Sequence, residues 1–290
     1  MSEGDTRRRR EQQIDQTTAN RLVGTLASIQ RRRLLDRCEH VEVHQRPAVQ
    51  LGRGRDSYSY FPTDCVISVL LPVDGRHGME VATVGREGLF GVQSWIGVRP
   101  TELRAIVSTP GHAWRIANRE FDALADADPD LRRMLQRYLR MILAQTARHA
   151  ACCRFHPLAQ RLARWLLTHA DCAPTDDVLV THQRLATLLG AQRAGITSAI
   201  GTFERRGLIG AARGHILLLD RPALLQEACS CYGANRDAYS RALGMRQSDG
   251  APAGVGYAGD DGRNQNGSHS RPRLAAKALA SARDRTRSLR

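Results

Sequence analysis

Hydrophobic and polar positions fall into distinct patterns along this chain. Between residues 21 and 35, apolar positions recur at helical spacing. From 40 to 120, short apolar segments such as VISVLL and MEVATV alternate with turn sequences such as GRGRDS and GREG. This rhythm predicts an antiparallel sandwich or barrel, with a hairpin link at 74–78 between strands at 65–71 and 79–84.

A long helix is predicted next. Asp128 has the chemistry of an N-cap, and Pro129 suits the first turn. Apolar and polar side chains then step alternately by four and three, a pattern that can form a coiled-coil seam. The seam positions are Leu131, Leu135, Tyr138, Ile142, Gln145, His149 and Cys152. We therefore expect a dimerisation helix over 128–153; the alternative is one helix packed against its own domain.

Residues 180–209 read VTHQRLATLLGAQRAGITSAIGTFERRGLI. The capping and turn residues of this stretch predict two helices that cross at a turn. Thr181 can cap the first helix, and Gly190 can adopt the left-handed conformation that makes the turn. The inward face of the second helix carries Ile196, Ile200 and Phe203. The following LIGAARGHILLLDRP predicts two short strands around Arg213–Gly214, and Asp220 with Pro222 predicts a final helix through Cys231. This is a winged helix-turn-helix, whose expected partner is double-stranded DNA.

Charge supports a polyanionic partner. The 290 residues carry a formal net charge of +14, and 42 of the 43 basic residues are arginines. Residues 181–215 contain five arginines against one acid, Glu204. No apolar run approaches the roughly 20 residues that span a bilayer, and no secretory signal begins the chain, so we expect a cytoplasmic protein without a membrane partner. Scattered histidines without a nucleophile elbow, HExxH or phosphate loop argue against an enzyme.

The seven cysteines are irregularly spaced and include no Cys-x-x-Cys motif. The sequence therefore predicts neither a disulfide framework nor a zinc site, and no cofactor. Cys229-Ser-Cys231 and the adjacent Cys152 and Cys153 have two interpretations, as redox-active groups or as idle buried thiols. A thiol- or metal-responsive regulator that uses Cys152 and Cys153, near His149 and His156, stays open as an alternative function.

A roll, a long helix and a winged helix, in this order, resemble the Crp/Fnr superfamily of bacterial transcription regulators. In the roll, the resemblance is carried by TDCVISVLLPVDGRHGMEVATVGREGLFG. In the winged helix-turn-helix, it is carried by TLLGAQRAGITSAIGTFERRGLI and RGHILLLDRPAL. It implies an α+β fold with a jelly-roll-like antiparallel β-roll, a dimerisation helix and a C-terminal winged helix-turn-helix. It also implies a homodimer that binds an inverted-repeat operator and communicates with RNA polymerase.

The resulting domain organisation has five parts. They are a flexible basic arm (1–20), a β-roll sensor (21–127), the dimerisation helix (128–153), the winged helix-turn-helix (154–233) and a disordered basic tail (244–290). The arm and the tail are predicted from their polar, charged composition and from the absence of periodicity.

The resemblance also selects the DNA-binding residues. Aligned without gaps, the three base-facing positions of the family's reading helix fall on Arg193, Ala194 and Ser198. Arginine suits guanine, because its two parallel donors match the O6 and N7 acceptors. Gln192 and Thr197 lie beside these positions, and Gly195 is interpreted as letting the backbone approach the DNA. Phosphate contacts are expected from four arginines: Arg184, Arg205, Arg206 and Arg213.

The predicted sensor differs from the family members that bind cyclic AMP at the positions that hold the ribose and the phosphate. In those members a glutamate after the first glycine of a GE-x-G turn holds the ribose, and a later Arg-Ser pair holds the phosphate. Here the turn carries Arg86, which cannot accept hydrogen bonds, and Pro100 follows Arg99. We expect no response to cyclic AMP and an unknown effector, with Arg86, Glu87 and Arg99 as a possible pocket; the alternative is a plain turn. A non-specific nucleoid-type DNA binder is a further alternative.

Overall fold

The computed structural model describes residues 19–44, 57–73, 78–97, 103–173 and 175–244. These residues form a β-roll, one long helix and a C-terminal winged unit, so the predicted α+β fold is confirmed. Most of the predicted arm, and the predicted tail after Gly244, lie outside the described residues. Within the described part, no helix is long and apolar enough to cross a membrane.

The N-terminal part contains α1 (Arg21–Gly24), α2 (Ser28–Leu35), β1 (Glu39–Val43), β2 (Tyr58–Pro62), β3 (Val66–Leu71), β4 (Met79–Val84), α3 (Val92–Trp95), β5 (Arg104–Thr109), β6 (Gly111–Ala117) and α4 (Asn118–Ala127). The rest of the chain contains α5 (Pro129–Phe155), α6 (Leu158–Cys172), β7 (Asp177–Leu179), α7 (His182–Leu188), α8 (Arg193–Arg205), β8 (Ile209–Ala212), β9 (His215–Leu218), α9 (Arg221–Glu227) and α10 (Cys231–Leu243).

Two three-stranded antiparallel sheets build the roll. Their strand orders are β1-β6-β2 and β4-β3-β5. The β3–β4 hairpin has the predicted partners, with Leu71 opposite Met79, although residues 74–77 of its link lie outside the described part. Apolar side chains of both sheets, including Ile67 and Val107, form the core between them. The predicted antiparallel architecture is therefore confirmed.

The long helix α5 begins as predicted. The Asp128 carboxylate accepts hydrogen bonds from the backbone N–H groups of Asp130 (2.9 Å) and Leu131 (3.2 Å), and Pro129 is the first helical residue. The helix ends before His156, because Pro157 cannot continue it.

The first three positions of the predicted seam along α5 are covered within the protomer. Leu131, Leu135 and Tyr138 are buried in the protomer's own core beside Phe61 and Phe121 of the roll. The Tyr138 hydroxyl also donates to the Leu89 carbonyl (3.0 Å) and accepts from the Leu89 N–H (2.8 Å). An apolar stripe shows that a helix packs against something, and here that partner is the adjacent roll.

The end of the described chain differs from the predicted single helix through Cys231. Helix α9 is capped by Asp220, as predicted, but ends at Glu227, because Ala228 is extended. A second helix, α10, begins at Cys231 and returns to α5, where Arg148 donates to Asn235 (2.5 Å). Its weakly amphipathic sequence gave no clear helical signal. The residues after the winged unit are therefore attached to the long helix.

A fully buried glutamate joins the roll to the C-terminal unit. Glu80 of β4 accepts hydrogen bonds through Oε1 from Trp165 Nε1 (2.8 Å) and Thr83 Oγ1 (2.9 Å). Its Oε2 lies 3.5 Å from Nε2 of the buried His169. Burial alone would raise the pKa of Glu80, but His169 and the hydroxyl donors lower it below the ordinary value of 4.5. The carboxylate is thus retained in its charged form at the domain contact.

Removal of the indole donor tests this contact. Trp165→Phe keeps an aromatic ring but leaves the buried carboxylate with one hydrogen bond fewer, so we expect the free energy of unfolding to fall by about 1.5–3 kcal/mol. Urea unfolding followed by circular dichroism measures the change. Trp114→Phe, at a half-buried position of the roll, is the matched control. Equal losses in the two variants would contradict the assigned role of Glu80.

Candidate nucleic-acid interface

The helix-turn-helix begins as its sequence predicts. The Thr181 hydroxyl caps α7 by accepting from the Arg184 N–H (3.2 Å), and Leu185 is buried. Gly190 has a φ of +57°, the left-handed conformation that glycine adopts without strain, and the chain turns there into α8. Thr181 and Gly190 therefore have their predicted roles.

Helix α8 has one buried and one exposed face. Ile196, Ile200 and Phe203 are buried in the core of the C-terminal unit. The exposed side of its N-terminal half carries the residues that are predicted to face the DNA bases or to lie beside them: Gln192, Arg193, Ala194, Thr197 and Ser198. Because residues four apart lie on the same side of a helix, these side chains form one surface.

Helix α7 contributes a residue to this surface that sequence reasoning missed. Nδ1 of His182, the first residue of α7, lies 3.1 Å from Oγ1 of Thr197. This hydrogen bond fixes the Thr197 side chain and joins the starts of α7 and α8. The only signal in the sequence was a polar residue directly after the cap, which is too common to identify a contact.

The wing is a two-residue hairpin. β8 and β9 pair antiparallel, with Ala212 opposite His215, and β7 completes the sheet on the other side of β9. Arg213 and Gly214 both have positive φ, at 47° and 87°, which is the conformation of a type I′ turn. Among the described residues Arg213 is the only non-glycine with positive φ, so the wing places an exposed arginine in a conformation that asparagine or glycine would adopt more readily.

The wing tip lies beside the start of α7. The Val180 N–H donates to the Gly214 carbonyl (2.7 Å), and a Cβ on Gly214 would lie 3.7 Å from Thr181 Cγ2. His182 then joins Thr197 on α8. The wing tip, the start of α7 and the exposed half of α8 therefore form one continuous surface, which we call the reading surface.

The other predicted arginines are placed differently. Arg205 and Arg206 lie at the far end of α8, about 18 Å along the helix axis from Arg193. Arg205 donates to Thr202 (3.0 Å), and Arg206 forms an ion pair with Glu227 (2.6 Å) whose hydrogen bond raises the pKa of Arg206. Arg184 is half-buried on α7. Arg193 and the pair Arg205 and Arg206 therefore lie at opposite ends of α8.

Gly195 has a packing role that the sequence did not predict. It is half-buried, and a Cβ at this position would come within 2.9 Å of Leu158 Cδ2 on α6. The absence of a side chain therefore lets α8 approach α6. Gly195 thus has a packing contact in addition to the expected approach of the backbone to DNA, which stays a prediction.

The predicted effector residues lie at a domain contact. Arg86 Nε donates to the carbonyl of Asp171 at the end of α6 (3.2 Å), and Gly85 packs so tightly on Cys172 that a Cβ would come within 2.4 Å of the cysteine's Cβ. Glu87 is turned inward; burial raises its pKa, and its Oε1 accepts from the Gly85 N–H (3.0 Å). Arg99 lies outside the described residues. The turn therefore connects the roll to the C-terminal unit.

A separate cavity of about 220 Å³ lies between the roll and α5. Its walls are mainly aliphatic, and the larger polar-tipped groups are Gln93, Tyr138, Gln145 and Tyr239. Neither Arg86 nor Glu87 lines it.

Four potential metal ligands meet at the end of α5. Cys152 and His156 converge with Cys229 and Cys231 from the α9–α10 junction, and their ligand atoms all lie within 4.8 Å of one another. Cys153 is not among them. The sequence predicted no zinc site because no Cys-x-x-Cys pair is present. Folding instead combines Cys-x3-His with Cys-x-Cys from residues more than 70 positions away.

The roll, the long helix and the reading surface define the architecture of a winged-helix regulator. Residues 160–227 match the family described as the Crp-like helix-turn-helix domain. A comparison with curated protein sequences gave no match.

Solved structures with similar folds include a CRP-family transcriptional regulator from Thermus thermophilus, with 20% identity, a TM-score of 0.54 and coverage of 65% of this chain and 96% of that one. FixK2 from Bradyrhizobium japonicum has 15% identity, a TM-score of 0.55 and coverage of 67% and 98%. The c-di-GMP responsive global regulator CLP of Xanthomonas campestris has 18% identity, a TM-score of 0.53 and coverage of 66% and 99%. The chain therefore has the fold of the Crp/Fnr transcription regulators and carries their helix-turn-helix domain, as the sequence predicted.

The wing tip offers a test that separates stability from binding. In Arg213→Asn the left-handed conformation suits the new residue, so we expect the free energy of unfolding to rise by up to about 1 kcal/mol. Affinity for DNA should nevertheless fall for all sequences alike, because a phosphate contact is lost. Chemical unfolding and binding titrations at several salt concentrations measure both effects. Arg213→Lys is the charge-preserving control, and unchanged affinity in Arg213→Asn would contradict a DNA contact at the wing.

Proposed function

We propose that this protein is a transcription regulator that binds an inverted-repeat operator as a homodimer and inserts the start of α8 into the major groove. One observation supports this most directly: the reading surface brings Arg193, Thr197, His182 and Arg213 onto one exposed face. A reading helix in the major groove, with a wing on the backbone, needs this arrangement.

The side chains of α8 set the expected specificity. Arg193 is exposed at the first helical residue and is long enough to reach guanine in a bidentate manner. Ala194 can at most touch a thymine methyl group, and Ser198 can make a single ambiguous hydrogen bond. Thr197 is held by His182. We infer one strongly specified guanine in each half-site, with degenerate neighbours.

Selection of bound DNA from a random pool tests the reading role. Arg193→Ala should weaken binding to the selected operator by about 1–3 kcal/mol and remove the preference at one base pair per half-site. Arg205→Ala, at the other end of the same helix, is the control and should leave every base preference unchanged.

Two results would contradict the assignment. One is the same selected sequence from wild type and Arg193→Ala. The other is no enriched sequence from wild type together with a steep salt dependence, which would favour a nucleoid-type binder that contacts phosphates alone.

The proposed dimer uses the exposed side of α5, since the opposite side is covered by the roll. Leu143 is 69% exposed and Phe155 is 76% exposed. Ala147 and Ala151 lie between them, also exposed, at steps of four residues. Such a ridge of apolar residues can pack against its own copy, and a second subunit provides the second half-site of an inverted repeat.

Charges on this ridge should separate the subunits. In Leu143→Glu/Ala147→Glu, dimer formation would bury unpaired carboxylates, so we expect a folded monomer. Sedimentation velocity and circular dichroism distinguish dissociation from unfolding. Gln160→Glu, an exposed position on α6, is the control. A stable dimer in the double variant would place the interface elsewhere.

The sensor in this proposal does not respond to cyclic AMP. Arg86, which stands where the ribose acceptor is expected, is turned toward Asp171. The cavity between the roll and α5 is mainly aliphatic and offers no cation for a phosphate within its described walls. The resemblance to the Crp/Fnr regulators adds contact with RNA polymerase to the proposal.

A further inference from the structure

Three cysteines and one histidine meet where the long helix ends. Cys152 and His156 are one turn apart on and just after α5, while Cys229 and Cys231 flank Ser230 between α9 and α10. Cys152, Cys229 and Cys231 are only 1%, 5% and 8% exposed, and His156 is half-buried at the edge. The site is thus closed on the cysteine side and accessible to solvent through the histidine.

Two of the distances between ligand atoms match those around a single tetrahedral ion, and all four ligand atoms lie within 4.8 Å of one another. Zinc binds thiolate sulfur at about 2.3 Å and imidazole nitrogen at about 2.0–2.1 Å, so neighbouring ligand atoms lie about 3.6–3.8 Å apart around it. Here Cys152 Sγ and Cys229 Sγ are 3.5 Å apart, and Cys231 Sγ and His156 Nδ1 are 3.7 Å apart. A disulfide would require about 2.0 Å between the sulfurs.

The donor set favours zinc. Thiolate and imidazole ligands suit Zn²⁺, whereas Mg²⁺ and Ca²⁺ prefer oxygen. Four protein ligands leave no open position, which is the arrangement of a structural rather than a catalytic zinc site.

A buried arginine supplies matching charge. One Zn²⁺ with three thiolates and a neutral imidazole carries a net charge of −1. Arg164 of α6 is buried, and its Nε and Nη2 have no hydrogen-bond partner among the described residues. Arg164 lies close enough to the cluster for its positive charge to act on Cys152, Cys229 and Cys231. A buried cation that lacks partners is costly unless an anionic group lies nearby, and a thiolate-bound zinc ion would provide one.

We propose that Cys152, His156, Cys229 and Cys231 bind one Zn²⁺ per chain and thereby attach the segment after the winged unit to the end of the long helix. Binding forms three Zn–S bonds and one Zn–N bond. The thiol protons are released to solvent. The zinc site requires neither DNA binding nor a particular effector. Its test is therefore independent of the proposed function.

Metal content of the full-length protein tests the proposal. Wild type purified under reducing conditions without chelator should contain about one zinc per chain by plasma mass spectrometry. After removal of zinc, titration with Co²⁺ should give the intense visible absorption of tetrahedral cobalt and a thiolate-to-cobalt charge-transfer band. Because Co²⁺ is added to the wild-type chain, the cobalt titration does not depend on whether a variant folds.

Cys231→Ser and Cys153→Ser form a matched pair, since the second cysteine is adjacent to the cluster but outside it. Zinc affinity should fall more than about 100-fold in Cys231→Ser, because changes beyond the direct ligands already cost 10–100-fold. It should be unchanged in Cys153→Ser. Circular dichroism establishes that each variant is folded.

Three results would overturn the site. The first is that the wild-type protein contains no zinc and gives no cobalt–thiolate band. The second is that the two variants contain equal amounts of zinc. The third is a count of five free thiols, two below the seven cysteines of the sequence, in protein denatured without reductant. The last would show that two of the cysteines are joined in a disulfide instead.

Discussion

The position of the reading surface depends on one helix, α6. Its Trp165 donates to the buried Glu80 of the roll, and its Cys172 packs on Gly85. Its opposite side packs against α8 in the core of the winged unit. A charged group buried at a domain contact is costly unless its partners are held in place, so Glu80 favours one position of α6 and, through it, one orientation of the reading helix.

The C-terminal segment adds a second attachment to the same helix. Tyr232 of α10 donates to Asp171 (2.7 Å), and Arg221 of α9 forms ion pairs with Asp171 and Asp176. The four-ligand cluster lies at the junction between these two helices. A metal ion there would connect the end of α5 to the segment that follows the winged unit, so the proposed zinc site and the domain contact act on the same part of the molecule.

Local chemistry was predictable from sequence where a residue's role depends on its neighbours in the chain. Asp128 with Pro129, Thr181, Gly190 and Arg213–Gly214 each has the predicted conformation, because caps and tight turns are decided within a few residues.

Predictions that depend on an unknown packing partner were less successful. The stripe that contains Leu135 showed an apolar face but not that the roll covers it. The packing of Gly195 against Leu158, which is distant in sequence, was not predicted. Cys152 and Cys229 are 77 positions apart, and only the fold brings them together.

DNA is proposed to contact the reading surface. Hydrogen–deuterium exchange of the full chain, with and without a selected operator duplex, measures this directly. DNA bound at the reading surface should slow exchange at residues 192–198, at 181–182 and at the wing tip 213–214, with little change at 203–206. Protection confined to residues 245–290, with α8 unchanged, would contradict it.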